Sequence, residues 1–271
     1  MISINNREFH RLSSYIHTQL GIHLGDEKRS LVVGRLQNEL VQLKLNSFSE
    51  YIDILMKDKT GKMLNALVNK ITTNHTYFMR EAEHFTFLND VLLPHYANVL
   101  KDKDLRLWCA ACSTGEEPYT LAMLLNDYFQ HDLLGWNTQV LATDISDRVL
   151  EHARKAEYTQ EQVLPLPPLW KSQYLRKSEN GNVTFQDKIK KEVIFRKFNL
   201  MEPNYPFRQK FHVIFCRNVM IYFDMETKTE LLNKLYQSLE SGGYLFIGHS
   251  ESINRESTPF KYVMPAVYRK E

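Results

Sequence analysis

Residues 105–125, LRLWCAACSTGEEPYTLAMLL, carry a strand, a turn of small residues and a helix start in one continuous stretch. The apolar run 105–109 gives way to small side chains through Gly115, then to Glu116 and Glu117, with helical spacing from 119 to 125. A strand that ends in small residues and turns into a helix lets a ligand approach the backbone closely, at the strand end where parallel α/β sheets bind their ligands. Gly115 is expected to open that space. Two carboxylates at the helix start repel phosphate and suit a ligand rich in hydroxyls or carrying positive charge. Cys109 and Cys112 form a C-x-x-C, but the first closes a strand instead of opening a helix, and two further ligands at zinc-binding spacing are missing from the neighbourhood. The pair reads as packing, and no metal is expected.

Outward from this unit, strand-like runs at 139–143, 193–198, 212–216 and 244–249 alternate with helical patterns. Such alternation predicts an α/β fold: a doubly wound, mostly parallel sheet with helices on both faces. The rhythm breaks between 156 and 191, where Pro165, Pro167 and Pro168 forbid a long helix and runs at 174–176 and 183–185 flank Asn180-Gly181. That pattern predicts a small antiparallel β-hairpin insertion at about 157–191. Before residue 75, helical spacing at 7–20, 27–45, 48–57 and 62–71 is broken by Gly21, Gly25, Asn46 and Gly61. The expected division is a small all-α N-terminal domain with its linker over 1–75 and a ligand-binding domain over 76–271.

The chain has 271 residues, 43% hydrophobic and 24% charged, enough to bury a full core. It shows neither a membrane-spanning apolar run nor the apolar core of a signal peptide, and it holds three cysteines. A cytoplasmic protein without membrane insertion is expected, as a monomer. A net charge of +2 without a basic, aromatic-interleaved stripe gives no reason to expect nucleic acid.

The second strand run ends in Asp144, placed either to bind the two hydroxyls of a ribose or to cap the helix beginning near Ser146. The third ends at Asn199 and Leu200, and the fourth runs into Asn218, which suits a ligand hydrogen bond or a turn. Residues 72–80, TTNHTYFMR, gather hydroxyls, an amide and Arg80 ahead of a helical pattern over 81–93. Arginine grips a carboxylate with two parallel hydrogen bonds, although Glu81 and Glu83 offer a plain surface pairing. A ligand with a carboxylate, a ribose and a positive centre satisfies the set. S-adenosylmethionine carries all three.

The segments NHTYFMREAEHF, WCAACSTGEEPY, ATDIS, FNL, FCRNVMIYFD and GYLFIGHSES, in this order and spacing, closely resemble the CheR family of chemotaxis receptor methyltransferases. The resemblance spans essentially the whole chain and implies a Rossmann-like S-adenosylmethionine-dependent methyltransferase fold. It further implies methyl transfer to glutamate side chains on the cytoplasmic helical bundles of chemoreceptors, giving γ-methyl esters and S-adenosylhomocysteine. Matched motif by motif, the implied cofactor residues are Asn74, Thr76, Arg80, Glu117, Asp144, Asn199, Leu200, Asn218 and Val219. Glu117 is implied to face the amino acid end of the cofactor. His75, Tyr77 and Met79 depart from the first motif without touching that set.

A glutamate carboxylate, with a pKa of ~4.3, is already ionised at neutral pH, so placement and desolvation carry the chemistry instead of a general base. Arg80 and Tyr222 are the expected catalytic residues, Arg80 holding the cofactor carboxylate and Tyr222 lining the acceptor channel or packing between Ile221 and Phe223. Lys28 and Arg35, seven apart on the 27–45 helix, are the expected receptor-recognition residues, a solvated face being the alternative. Two rivals stand beside this reading: a methyltransferase acting on another macromolecule, and a non-catalytic scaffold that binds the cofactor or its product as a signal.

Overall fold

A computed structural model describes residues 2–130, 135–254 and 258–271. The chain opens with α1 (Asn6–Leu20), α2 (Arg29–Gln42), α3 (Phe48–Lys57) and α4 (Lys62–Ile71). It continues through α5 (Glu83–Phe87), a π-helical turn over Leu88–Leu92, α6 (Leu93–Val99), β1 (Leu107–Cys109), α7 (Glu116–Tyr128), β2 (Val140–Asp144) and α8 (Asp147–Lys155). Next come β3 (Glu157–Tyr158), α9 (Pro168–Tyr174), β4 (Leu175–Lys177), β5 (Val183–Phe185), α10 (Asp187–Lys190), β6 (Val193–Lys197) and β7 (Phe211–Phe215). The last elements are α11 (Met225–Ser238), β8 (Leu239–Phe246), β9 (Lys261–Met264) and β10 (Val267–Arg269).

Seven strands form the main sheet in the order β6-β2-β1-β7-β8-β10-β9. The first five in that order run parallel, and β10 and β9 close the edge antiparallel. The fold is therefore the expected mostly parallel α/β sheet. Side chains alternate along each strand. Leu107, Cys109, Val213 and Phe215 join the core beneath α5 to α8, whereas Trp108, Ile214 and Cys216 join the core that α1 to α4 and α11 build. The second core is continuous from the N-terminal helices to the sheet. Trp108 anchors it, fully buried among Phe198, Tyr205, Phe207 and Phe211, with its indole N–H donating to Thr143 Oγ1 at 2.9 Å.

Several boundaries differ from the sequence reading. The 27–45 helix is a 3-10 turn over Asp26–Lys28 followed by α2, and Lys44 ends it in a left-handed conformation (φ 57°). The helical run over 81–93 is divided among α5, the π turn and α6. The insertion holds a three-stranded sheet in the order β3-β5-β4, and its loop is wider than a two-residue turn, since Ser178 N–H donates to Asn182 O. The edge strands β9 and β10 escaped the sequence reading because β9 is short, exposed and opened by a lysine.

α1 begins with a capping box between Asn5 and Glu8 and ends at Gly21, whose φ of 69° is left-handed. A Cβ there would stand 2.3 Å from Met201 Sδ and 2.8 Å from Thr227 Cγ2, so glycine serves both the helix stop and the seating of the end of α1 against α11 and the loop after β6. Gly21→Ala is expected to lower unfolding free energy in urea by about 1–3 kcal/mol. Met201→Ala in the same chain should restore part of that loss, since it removes the closest clash but not the backbone strain.

Candidate active site

The strand order places the chain's change of direction beside β1: β2 and β6 extend one way and β7 the other. Loops at the carboxyl ends of strands separate at such a point and leave a crevice. A cleft enclosing about 1070 Å³, open mouth included, lies there. Its floor is the turn 110–113, fixed by Ala110 N–H to Phe215 O at 2.8 Å and Cys112 N–H to Thr143 O at 2.9 Å. Leu20, Ile22, Val68, Thr72 and Thr73 bring the N-terminal helices and the following extended segment to its opposite wall.

Asn74, Thr76, Arg80, Glu117, Asp144, Asn199, Leu200, Asn218, Val219 and Tyr222 all line this cleft. Asp144 accepts Ser113 N–H at 2.9 Å on one oxygen and Ser146 N–H at 3.0 Å on the other, and burial pushes its carboxyl above the usual range. It does not cap α8. Ser146 does, accepting from Val149 N–H. Glu116 and Glu117 part company: Glu116 is buried against the Thr114 hydroxyl at 2.6 Å, while Glu117 faces the cleft. Arg80 donates from Nη1 to His75 O at 2.9 Å and keeps its Nε 4.0 Å from Glu81, at the limit of an ion pair. Tyr222 donates its hydroxyl to Thr73 O at 3.1 Å, and Asn199 donates to Gln19 O at 2.8 Å.

Two expectations are corrected. Gly115 does not line the cleft; its φ is 101°, and a Cβ would press on Tyr158 Oη at 2.8 Å and Ala153 Cβ at 3.0 Å, so it admits protein and not ligand. Lys28 and Arg35 do not share a regular helical face, because Lys28 sits in the 3-10 turn and donates to His23 O. Arg35 is no free cation. Its guanidinium clamps the end of α4, donating to Ile71 O at 2.6 Å and to Thr73 Oγ1 at 3.0 Å. Neither lies on the cleft wall.

The residue the sequence reading passed over is Arg217. Its side chain is 2% exposed and joins Glu117 Oε2 at 2.7 Å to Glu81 Oε2 at 3.0 Å, with its face over Phe85. It also donates to Arg80 O. Burial alone would raise the Glu81 carboxyl, but Arg217, the His249 N–H and Asn218 together hold it below the usual range. Glu117 takes a second donor from the Cys109 thiol at 2.9 Å. Glu251 supports the facing loop by accepting Asn218 N–H at 2.8 Å and Met220 N–H at 2.7 Å. Gly248 is glycine because a Cβ would meet Asn218 Nδ2 at 2.2 Å. Met79, Glu81, Ser113 and Asn218 all adopt left-handed backbone, an accumulation of strain found where a site must be held in one shape.

Residues 74–268 match the family profile described as CheR methyltransferase, SAM binding domain, and residues 7–72 match that of the CheR methyltransferase all-alpha domain. The chain belongs to the CheR methyltransferase family. It is 42% identical to a chemotaxis protein methyltransferase of Borreliella burgdorferi, over 99% of this chain and 96% of that one. Likeness to a chemotaxis protein methyltransferase of Escherichia coli K12 is 36%, over 98% and 92%. A CheR chain uses S-adenosylmethionine as methyl donor, and the cleft fits it. The buried Asn74 Nδ2 lacks a hydrogen-bond partner among the described residues, and a carboxylate such as Asp144 has acceptor capacity beyond its backbone donors Ser113, Ile145 and Ser146. Among the described residues no helix is long and apolar enough to cross a membrane.

Replacing Arg217 by Met leaves Glu81 and Glu117 facing each other without their shared cation. At pH 7 the variant is expected to lose about 3–5 kcal/mol of unfolding free energy. That deficit should shrink as pH falls towards 5, because Glu81 without its cation then takes up a proton, whereas Arg217 holds it ionised through this range in the unmodified chain. Denaturant titrations at several pH values measure both.

Proposed function

We propose that this chain transfers the methyl group of S-adenosylmethionine to glutamate side chains of chemoreceptor cytoplasmic helices, yielding γ-methyl esters and S-adenosylhomocysteine. The observation that carries the reading is that the family's cofactor positions, scattered from Asn74 to Val219, converge with Tyr222 on one cleft. When bound, S-adenosylmethionine supplies an electrophilic methyl group on a sulfonium. Arg80, with donors to spare beyond its bond to His75, holds the cofactor carboxylate, and Asn74 offers its unpartnered amide beside it. Glu117, fixed by Arg217 and Cys109, faces the amino acid end. Asp144 takes the ribose hydroxyls, and Asn199, Leu200, Asn218 and Val219 complete the wall around the remainder.

The acceptor carboxylate is ionised at neutral pH, so the protein's task is to align it and strip its water. Tyr222 serves that task by bracing the cleft wall: its hydroxyl holds Thr73 O, and its own carbonyl accepts His23 N–H at 2.8 Å. Arg35, through its clamp on residues 71–73, braces the same segment, which leaves Lys28 as the candidate for receptor contact. Its amino group donates to His23 O at 3.2 Å in an exposed position.

Incubation with methyl-labelled S-adenosylmethionine and chemoreceptor membranes is expected to place base-labile label on the receptor. Label on nucleic acid, or none, would sink the reading. Tyr222→Phe, which deletes the bond to Thr73, is expected to lower kcat by up to about tenfold at saturating cofactor. An unchanged kcat would remove the hydroxyl from catalysis.

A further inference from the structure

Behind the cleft stands a group that methyl transfer leaves unexplained. His84 is completely buried on α5, yet neither ring nitrogen makes a well-formed hydrogen bond among the described residues. The Glu81 carboxylate stands 3.6 Å from Nδ1, too far to close one, and the Pro265 main chain offers the ring one weak hydrogen bond. Leaving buried polar groups unmet costs about 1–3 kcal/mol each, so a native protein that does so calls for a reason. The ring of His249 meets that of His84 edge-on at 4.9 Å, and His249 is exposed. Ligating atoms of Glu81, His84 and His249 lie within 4.8 Å of one another.

We propose that Glu81, His84 and His249 form an inhibitory site for a borderline-soft divalent cation of the zinc type, coupled to the cofactor cleft. Two imidazoles and one carboxylate are a zinc donor set, while magnesium and calcium demand oxygen. Bonds of about 2.0–2.2 Å require the donors to draw in by roughly an ångström, and His249, whose side chain reaches solvent, has the freedom to move. The exposed side of His249 leaves the fourth position to water.

The opposing force is Arg217, 3.0 Å from the Glu81 oxygen that faces His84. A cation that takes this oxygen must loosen the Arg217 pair, and Arg217 is what fixes Glu117 on the cleft wall. Glu81 Oε1 also receives Asn218 Nδ2 at 3.3 Å, a second link to that wall. Metal and cofactor therefore oppose each other, and by linkage each weakens the other's binding by one common factor.

The test uses the full chain, a chromophoric chelator competing for Zn2+, and equilibrium dialysis of S-adenosylmethionine; it depends on cofactor binding alone and not on the identity of the methyl acceptor. One Zn2+ per chain is expected, with zinc and cofactor affinities reduced reciprocally. His249→Ala alters an exposed side chain off the cleft wall, so it should keep cofactor affinity and lose zinc affinity by on the order of tenfold or more. His84→Gln provides a second variant. Equal zinc binding by the unmodified chain and His249→Ala, or a cofactor affinity indifferent to zinc, would overturn the proposal.

Discussion

Two carboxylates, Glu81 and Glu117, meet on a single buried guanidinium, and the shape of the cleft follows from that contact. Arg217 comes from the end of β7, Glu117 from the start of α7 and Glu81 from the segment before α5, so one side chain fixes three parts of the chain at the switch point of the sheet. Planar, forked donors suit this task in a way a lysine's point charge does not. Desolvating three charges is expensive, and further polar contacts offset part of the cost: Cys109 on Glu117, Asn218 on Glu81, the Arg80 carbonyl on Arg217. A network tied at this many points has few alternative arrangements. That is the property a methyl-transfer site needs, since alignment is its main source of rate.

The helices at the N-terminus are part of this site and not only an appendage to it. Leu20, Ile22 and Val68 reach the cleft wall, Arg35 pins the carbonyls at the end of α4, and the main chain of residues 22–23 pairs with 222–223. The cleft-lining segment 72–80 is thereby held at both ends, by Arg35 on one side and by the Arg80 carbonyl on Arg217 at the other.

The parallel core was legible in the sequence because buried strands such as 212–216 leave an unbroken apolar run, and the runs alternate with helical spacing. β9 was not, since an exposed edge strand opening on Lys261 has no such run. The end of α2 and the 3-10 turn before it depend on backbone bonds to Gly25 and on a left-handed Lys44, which residue spacing does not encode. At the site, Asp144 and Asn218 were readable because strand ends are where ligands bind. Arg217 was invisible for the opposite reason: it follows a buried strand as a turn residue would, and its partner Glu81 lies 136 positions away. Gly115 misled because a glycine beside a strand end serves a ligand or a neighbouring helix equally well, and only the tertiary approach of Tyr158 and Ala153 decides.

A cleft walled jointly by α1, α4 and the sheet has a consequence for the lifetime of the protein. Any ligand that binds only the assembled walls stabilises the whole chain by mass action, by about 2.7 kcal/mol at a hundredfold excess over its dissociation constant. The supply of methyl donor would then govern how often the N-terminal helices lift from the sheet and expose their shared core to proteases. Metabolic state would in that way set the amount of this protein as well as its rate.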